Sequence, residues 1–449
     1  MPDRIDDLIV VIPGILGSVL ERGGKPIWDH SLAAMRHVLP PRRLVSALSL
    51  DDGDDVRPVG LINGLHIVPG LWGIDGYGPL LNYLRRQFDV SRGNLIAFPY
   101  DWRLSCAVNA RRLGVTVERE LTRLREHVPT AKVTYICHSM GGLIARYYLE
   151  VLGGRAFARR LITIGTPHQG AAKAAAALCL GLAPGARARV GRFGRVLDDL
   201  DEVVRTFPSV YELLPTYRCV DDGTGELRHL LGSGVPIDTS RIREGATFHH
   251  DIALAAQKNG PSLHETYLFG GHRHKTVLSL QLTSAQVVPL HTWNGEAVRG
   301  DGTVPRFATA LPEATSDTDV RYSGDRHSVL AGAKHLFDAL HAILTSQPIR
   351  KYQGRELGLG LDLPELVPMG EAVPIEVEAV DNRLALIVSA AHDETGEIVR
   401  GLLLRNLGDG RYATDLILPK PGAWRVTVSA PGRIPVEPVS DIVMAVDPM

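Results

Sequence analysis

Apolar residues in this chain fall into two regimes, short unbroken runs and stripes of helical period, and the two alternate. The run "LIVVIP" from Leu8 to Pro13 is rich in β-branched residues and closes on Pro-Gly, the pattern of a parallel strand buried on both faces. "NLIAFPYDWR", "KVTYICHS", "RLITIGTPHQG", "ETYLFGG" and "DVRYS" repeat it, while "GPLLNYLRRQFD", "MGGLIARYYLEVL" and "HLFDALHAIL" space their apolar positions for one helical face. Strands alternating with helices predict a parallel α/β sheet. The rhythm lapses between Gly170 and His264, where an alanine-rich run, an arginine-rich run and several Pro/Gly breaks predict a cap or lid inserted over the sheet.

Toward the C-terminus the period changes. Residues 349–365 are rich in glycine and charge and read as a linker. Beyond them "PIEVEAV", "RLALIVSA", "YATDLIL" and "AWRVTVSA" alternate apolar and polar positions between turn pairs such as Thr395-Gly396, which predicts a small all-β, immunoglobulin-like sandwich. The expected organisation is an α/β domain over 1–348 with lid insertions near 40–75 and 171–264, the linker 349–365, and the sandwich over 366–449.

Composition narrows the function classes. The chain has 449 residues, 45% of them hydrophobic, and a formal net charge of -1, so it can bury a large core but offers no global attraction for a nucleic acid backbone. Its four cysteines, Cys106, Cys137, Cys179 and Cys219, are scattered with no C-x-x-C pair, which argues against a disulfide scaffold and a zinc ribbon. The N-terminus "MPDRIDDLIVVIPG" is acidic where a signal peptide would be basic, and its apolar run is too short for a span, so a cytoplasmic protein is expected.

The candidate chemistry centres on "VTYICHSMGGLIARYYL". A strand runs into C-H-S-M-G and a helix follows, the context of a nucleophile elbow in which a sharp turn exposes a serine hydroxyl above a helix N-terminus. Ser139 is the expected nucleophile, with Gly141 on the tight side of the turn and Cys137 where the G-x-S-x-G pattern has its first glycine. A cysteine is small and apolar enough for that place, and a thiol buried at a strand end is inert rather than nucleophilic.

The serine needs a base and an orienting acid, which in this chain order are Asp or Glu followed by His. Asp301 in "RGDGTVP" sits in a strand-end loop, and His327 in "GDRHSVL" precedes the last helix of the α/β part. His335 competes as the base, but it lies inside that helix, roughly 12 Å further along at 1.5 Å per residue. Oxyanion donors are expected at the N–H of Met140, just after the serine, and in the loop "PGILGS", where the tight Pro13-Gly14 turn aims the N–H of Ile15 or Leu16 inward, with Ile15 preferred. Leu16, Trp72 and Trp102 are the expected substrate-lining residues. Trp102 and Arg103 are expected to pack the loop beside the acyl site, with Asp101 pairing locally. The His249-His250 and His272–His274 clusters lack a recognised metal-ligand spacing, so neither metal nor cofactor is expected.

Taken in order, "VVIPGILGSVLE", "PIWD", "FPYDWRL", "CHSMGGLIARYYL", "LITIGTPHQG" and "GDGTVP" resemble the lecithin:cholesterol acyltransferase-like α/β-hydrolases, a family that includes lysosomal phospholipase A2 and phospholipid:diacylglycerol acyltransferases. The resemblance covers about Leu8 to Leu344. It implies an α/β-hydrolase fold, a Ser139, Asp301 and His327 triad, backbone donors after Gly14 and Ser139, and a lipid or other acyl-ester substrate. The chain departs from the family at Cys137 and lacks the lid-loop cysteine pair of secreted animal members. Where those relatives carry an apolar anchor it has the acidic run "DDGDD". The arginines of "RARVGRFGRV" could meet anionic lipid at a transient membrane surface. Asp198, Asp199, Asp201 and Glu202 follow at once, however, and favour a self-neutralised lid. Two further readings are an inactive hydrolase-fold scaffold and an enzyme gated by a protein partner docked on the C-terminal sandwich.

Overall fold

The structure is a computed structural model that describes residues 2–29, 41–50, 55–68, 72–313, 319–349, 358–431 and 436–447, without the side chains of 41–44, 66, 67, 72, 188 and 192. Six strands make the central sheet: β1 (Leu8–Ile12), β2 (Leu95–Ala97), β3 (Val133–His138), β4 (Ala158–Ile164), β5 (Glu265–Gly271) and β6 (Val320–Ser323). Their order is β6-β5-β4-β3-β1-β2, and every neighbouring pair is parallel. Each coincides with a run read from the sequence as a strand. β1 and β3 are buried at every position, as unbroken β-branched runs require when helices cover both faces.

The covering helices are α1 (Gly78–Gln87), α2 (Cys106–Arg125), α3 (Met140–Glu150) and, after β6, α7 (Lys334–Leu344). Between β4 and β5 lie α4 (Ala172–Leu180), α5 (Arg192–Val204) and α6 (Thr239–Asn259), within the segment expected as a lid. α6 starts on Asp238, whose carboxylate accepts the N–H groups of Ser240 and Arg241, and it ends on Gly260, a start and stop written in the sequence. In the arginine run, Arg187 pairs with both Asp198 and Asp201, and Arg189 with Glu371. Those contacts pair two of the run's four arginines with carboxylates. Of the acidic run at 51–55, residues 51–54 lie outside the described residues.

The C-terminal region is two antiparallel sheets. One has the order β7 (Leu359–Asp362), β9 (Ala372–Ala379), β13 (Arg411–Ile417), β12 (Arg405–Gly408). The other has the order β8 (Leu366–Pro368), β15 (Val439–Val446), β14 (Gly422–Ser429), β10 (Ile387–His392), β11 (Ile398–Leu403), with only the β8–β15 pair parallel. Inward positions on β9 and β14 alternate with outward ones and bury Val373, Ile375, Trp424 and Val426 in a core of their own. β7 falls inside the expected linker. Leu359 and Leu361 are buried there and pair with β9, so this stretch is part of the sandwich, while 350–357 lie outside the described residues. Among the described residues, no helix is long and apolar enough to cross a membrane.

Candidate active site

Ser139 joins β3 to α3 with φ 53° and ψ −127°, backbone angles that strain any residue with a side chain. The turn is tight because α3 starts against β1. A Cβ on Gly141 would lie 2.4 Å from the Pro13 carbonyl oxygen, and one on Gly142 would lie 2.1 Å from Thr166 Oγ1. Cys137 differs from these glycines. It is an ordinary strand residue paired with Ile12 and Thr163, its backbone is not left-handed, and burial pushes its thiol well above the usual range. Nothing at that position requires glycine, which accounts for the departure from G-x-S-x-G.

The structure brings the three predicted polar groups together. His327 Nε2 is 2.9 Å from Ser139 Oγ, and His327 Nδ1 is 2.7 Å from Asp301 Oδ2. Because the carboxylate can only accept, Nδ1 carries the proton and Nε2 is free to accept from the serine. Asp301 Oδ1 accepts two N–H groups, from Thr303 at 2.9 Å and Val304 at 2.6 Å. Burial works to raise the Asp301 pKa, but the His327 contact and these N–H bonds outweigh it and hold the carboxyl below its ordinary value. His327 N–H donates to Asp301 O at 2.9 Å, so the two loops are tied by backbone as well. The competitor His335 lies within α7, with Nε2 2.8 Å from Asp325.

The loop after β1 lies against the nucleophile: a Cβ on Gly14 would sit 2.9 Å from Ser139 Cβ and 3.4 Å from its Oγ. Among the described residues Ile15 N–H makes no turn or loop hydrogen bond, and Met140, first in α3, has an N–H that its own helix cannot pair. Leu16, next in the loop, is buried and left-handed at φ 65°, with its carbonyl accepting from Trp28 Nε1 at 2.9 Å.

"PYDWR" buttresses this loop from below. Tyr100 Oη donates to Pro13 O at 3.0 Å, and Trp102 Nε1 to Ser18 O at 3.2 Å. Arg103 and Asp101 form a buried two-pronged pair, and the remaining guanidinium N–H groups reach the Leu48 and Ser49 carbonyls. Trp102 packs between Trp28 and Phe207 at ring distances of 5.2 and 5.8 Å, which makes it part of a closed aromatic cluster instead of the substrate-lining wall expected of it. The Trp72 side chain lies outside the described residues.

Two residues of the site were not foreseen. His138 Nε2 is 3.2 Å from His327 O and must donate to it, so Nδ1 accepts from the Tyr77 hydroxyl at 2.8 Å. The same hydroxyl accepts Gly14 N–H at 2.7 Å. Burial, and then the nearby His327, push the His138 pKa down to about 3, so the ring is neutral and links the Gly14 loop, the elbow and the His327 loop. His138 was visible beside the serine as a motif letter. Tyr77 carried no local signal, because its partners are 61 and 63 residues away.

His249 Nε2 and both ring nitrogens of His274 are bonded to the protein itself. His249 Nε2 is 2.7 Å from Glu212 O, and His274 binds Gly324 O at 2.8 Å and Leu361 N–H at 3.2 Å. Ser139 is only 1% exposed, so the site is closed in this structure.

Residues 83–229 match the family model of lecithin:cholesterol acyltransferase, a segment that contains the elbow and ends before Asp301 and His327. Solved structures similar to the chain include the mature lipase BlEst2 of Bacillus licheniformis, at 14% identity and a TM-score of 0.38 over 77% of this chain and 94% of that one. Phospholipase PlaB of Legionella pneumophila is another, at 13% identity and a TM-score of 0.31 over 85% of this chain and 89% of that one. At such scores these likenesses add nothing to the fold, which stands on the strand order. No curated protein matches the sequence.

Proposed function

We propose that this LCAT-like α/β-hydrolase is a serine-dependent lipid esterase or O-acyltransferase that works through an acyl-enzyme on Ser139. The observation that carries the reading is the continuous relay from Ser139 Oγ through His327 to Asp301. In the proposed reaction His327 Nε2 takes the serine proton as Oγ attacks the ester carbonyl, and Asp301 steadies the charged imidazole. The Ile15 and Met140 N–H groups receive the oxyanion. The tetrahedral intermediate collapses, its alkoxide leaves with the proton held on His327, and the acyl group remains on Ser139. Water or a lipid alcohol then gives its proton to His327 and takes the acyl group, and His327 returns that proton to Ser139 Oγ as the second tetrahedral intermediate collapses.

The LCAT family match supports a lipid-type ester as substrate. The closed nucleophile supports a lid that must move to admit it. An inactive scaffold fits less well, since such a protein has no need of a fully hydrogen-bonded Ser, His and Asp set.

The test is acyl release and acyl transfer from mixed phospholipid vesicles containing a labelled long-chain alcohol, comparing wild type with Ser139→Ala and His327→Ala. Free fatty acid lost in both variants supports a hydrolase, and labelled ester lost in both supports an acyltransferase. Equal activity in all three proteins would refute the reading.

A further inference from the structure

Turn bonds from Val329 and Leu330 N–H to Arg326 O shape the loop that carries His327, and the proposed chemistry needs its ring held to within a fraction of an ångström of Ser139. Residues of the C-terminal sandwich reach into that loop. Arg326 Nε is 2.5 Å from Asp441 Oδ2, and Arg326 Nη1 donates to the carbonyl of Leu361 on β7. Ser328 Oγ donates to the other oxygen of Asp441 at 2.9 Å. A single carboxylate on β15 therefore grips both sequence neighbours of the histidine. On its far side Ser328 O accepts Asp75 N–H at 2.9 Å, and the Asp75 carboxylate pairs with Arg425 on β14, opposite Ile442.

The acid loop is braced by β7, the edge strand of the other sheet of the sandwich. Leu361 N–H donates to His274 Nδ1, and His274 N–H donates to Gly300 O at 3.0 Å, immediately before Asp301. Arg326 and Asp441 are 7% and 6% exposed. Burying a guanidinium and a carboxylate is costly unless each is fully paired, and here the pairing fixes the base loop. Contacts at the rim of the sandwich look different: Arg189–Glu371 and Lys275–Asp362 join exposed side chains outside both triad loops.

We infer that Asp441 is a positioning residue for the base His327, so that the C-terminal sandwich completes the active site instead of hanging from it as a separate module. This inference rests on the reading of Ser139 and His327 given above.

The experiment uses the full chain and a p-nitrophenyl ester, measuring kcat, KM, the rate of fluorophosphonate labelling and the thermal midpoint. Asp441→Asn should lower kcat about 10- to 100-fold while leaving KM within about twofold, with labelling slowed in parallel. Asp441→Glu should recover part of the loss, and Ser328→Ala should show a smaller loss of the same kind. Glu371→Gln, which removes a rim contact, should match wild type throughout. Should Asp441→Asn fail to fold, Ser328→Ala decides the matter, because it leaves the Arg326–Asp441 pair in place. A folded Asp441→Asn with wild-type kcat would overturn the inference, as would an equal loss in Glu371→Gln. In both cases wild-type labelling at Ser139 leaves the triad reading standing. A wild type that does not label at all removes both.

Discussion

The Tyr77 hydroxyl lies 2.8 Å from His138 Nδ1 and holds the residue before the nucleophile to the loop after the first strand, because the same oxygen accepts Gly14 N–H. Tyr77→Phe strands a buried donor and a buried ring nitrogen. A cost of about 1–3 kcal/mol in stability is expected. The loosened Gly14 loop should also lower kcat on a soluble ester, while Ser139 still labels with a fluorophosphonate. Denaturant unfolding and steady-state kinetics check both parts, and an unchanged unfolding midpoint would contradict the network.

Stability should fall in mild acid. Burial holds His138 and His274 down to about 3 and His249 down to about 4, against an ordinary value of 6.5. The unfolded chain therefore binds protons at these sites between pH 6.5 and those values, where the folded chain does not. Unfolding free energy then rises with pH across that window and gains nothing further from these groups above it. Asp301 acts in the same sense but lower down. Its depressed carboxyl contributes stability above 3.8 that is lost only below that pH. Urea midpoints at several values from neutral pH into this window should decline, and His249→Gln should flatten the decline. A constant midpoint would contradict the burial of these rings.

Cys137 and Gly141 flank the serine on either side and should respond differently to alanine. Cys137→Ala should keep fluorophosphonate labelling and activity and lose about 1 kcal/mol for the missing buried sulfur. Gly141→Ala should abolish both, because its Cβ would meet the Pro13 and Ile12 carbonyls at 2.4 and 2.7 Å. Loss of labelling in Cys137→Ala would reopen the thiol as the nucleophile.

How much of this was legible in the sequence depended on the range of the interactions. All six central strands stood out because a strand buried on both faces must be an unbroken apolar run, and the elbow stood out because its strand, turn and helix are contiguous. Asp301 and His327 are expected from chain order and loop position, and in the structure His327 lies between Ser139 and Asp301. Tyr77 and Asp441 could not be found that way. The partners of each lie far away along the chain, and neither sits in a local pattern that marks it. β7 was hidden because "LGLGLD" is glycine-rich, and its burial depends on pairing with β9. Trp102 is expected from the sequence to line the substrate, but its ring packs against Trp28 and Phe207, distant in the chain and close in space.

Asp301→Asn would lose the acceptor that fixes the His327 tautomer, and ester hydrolysis should fall roughly 10⁴-fold with little change in folding. A fall of less than about tenfold would remove Asp301 from the relay.

The central claim, an activated serine at position 139, is tested most directly by treating the full chain with a fluorophosphonate and locating the adduct by peptide mass spectrometry. The account predicts a single adduct on Ser139, absent in Ser139→Ala and strongly slowed in His327→Ala. No adduct, or one that persists unchanged in Ser139→Ala, would contradict it.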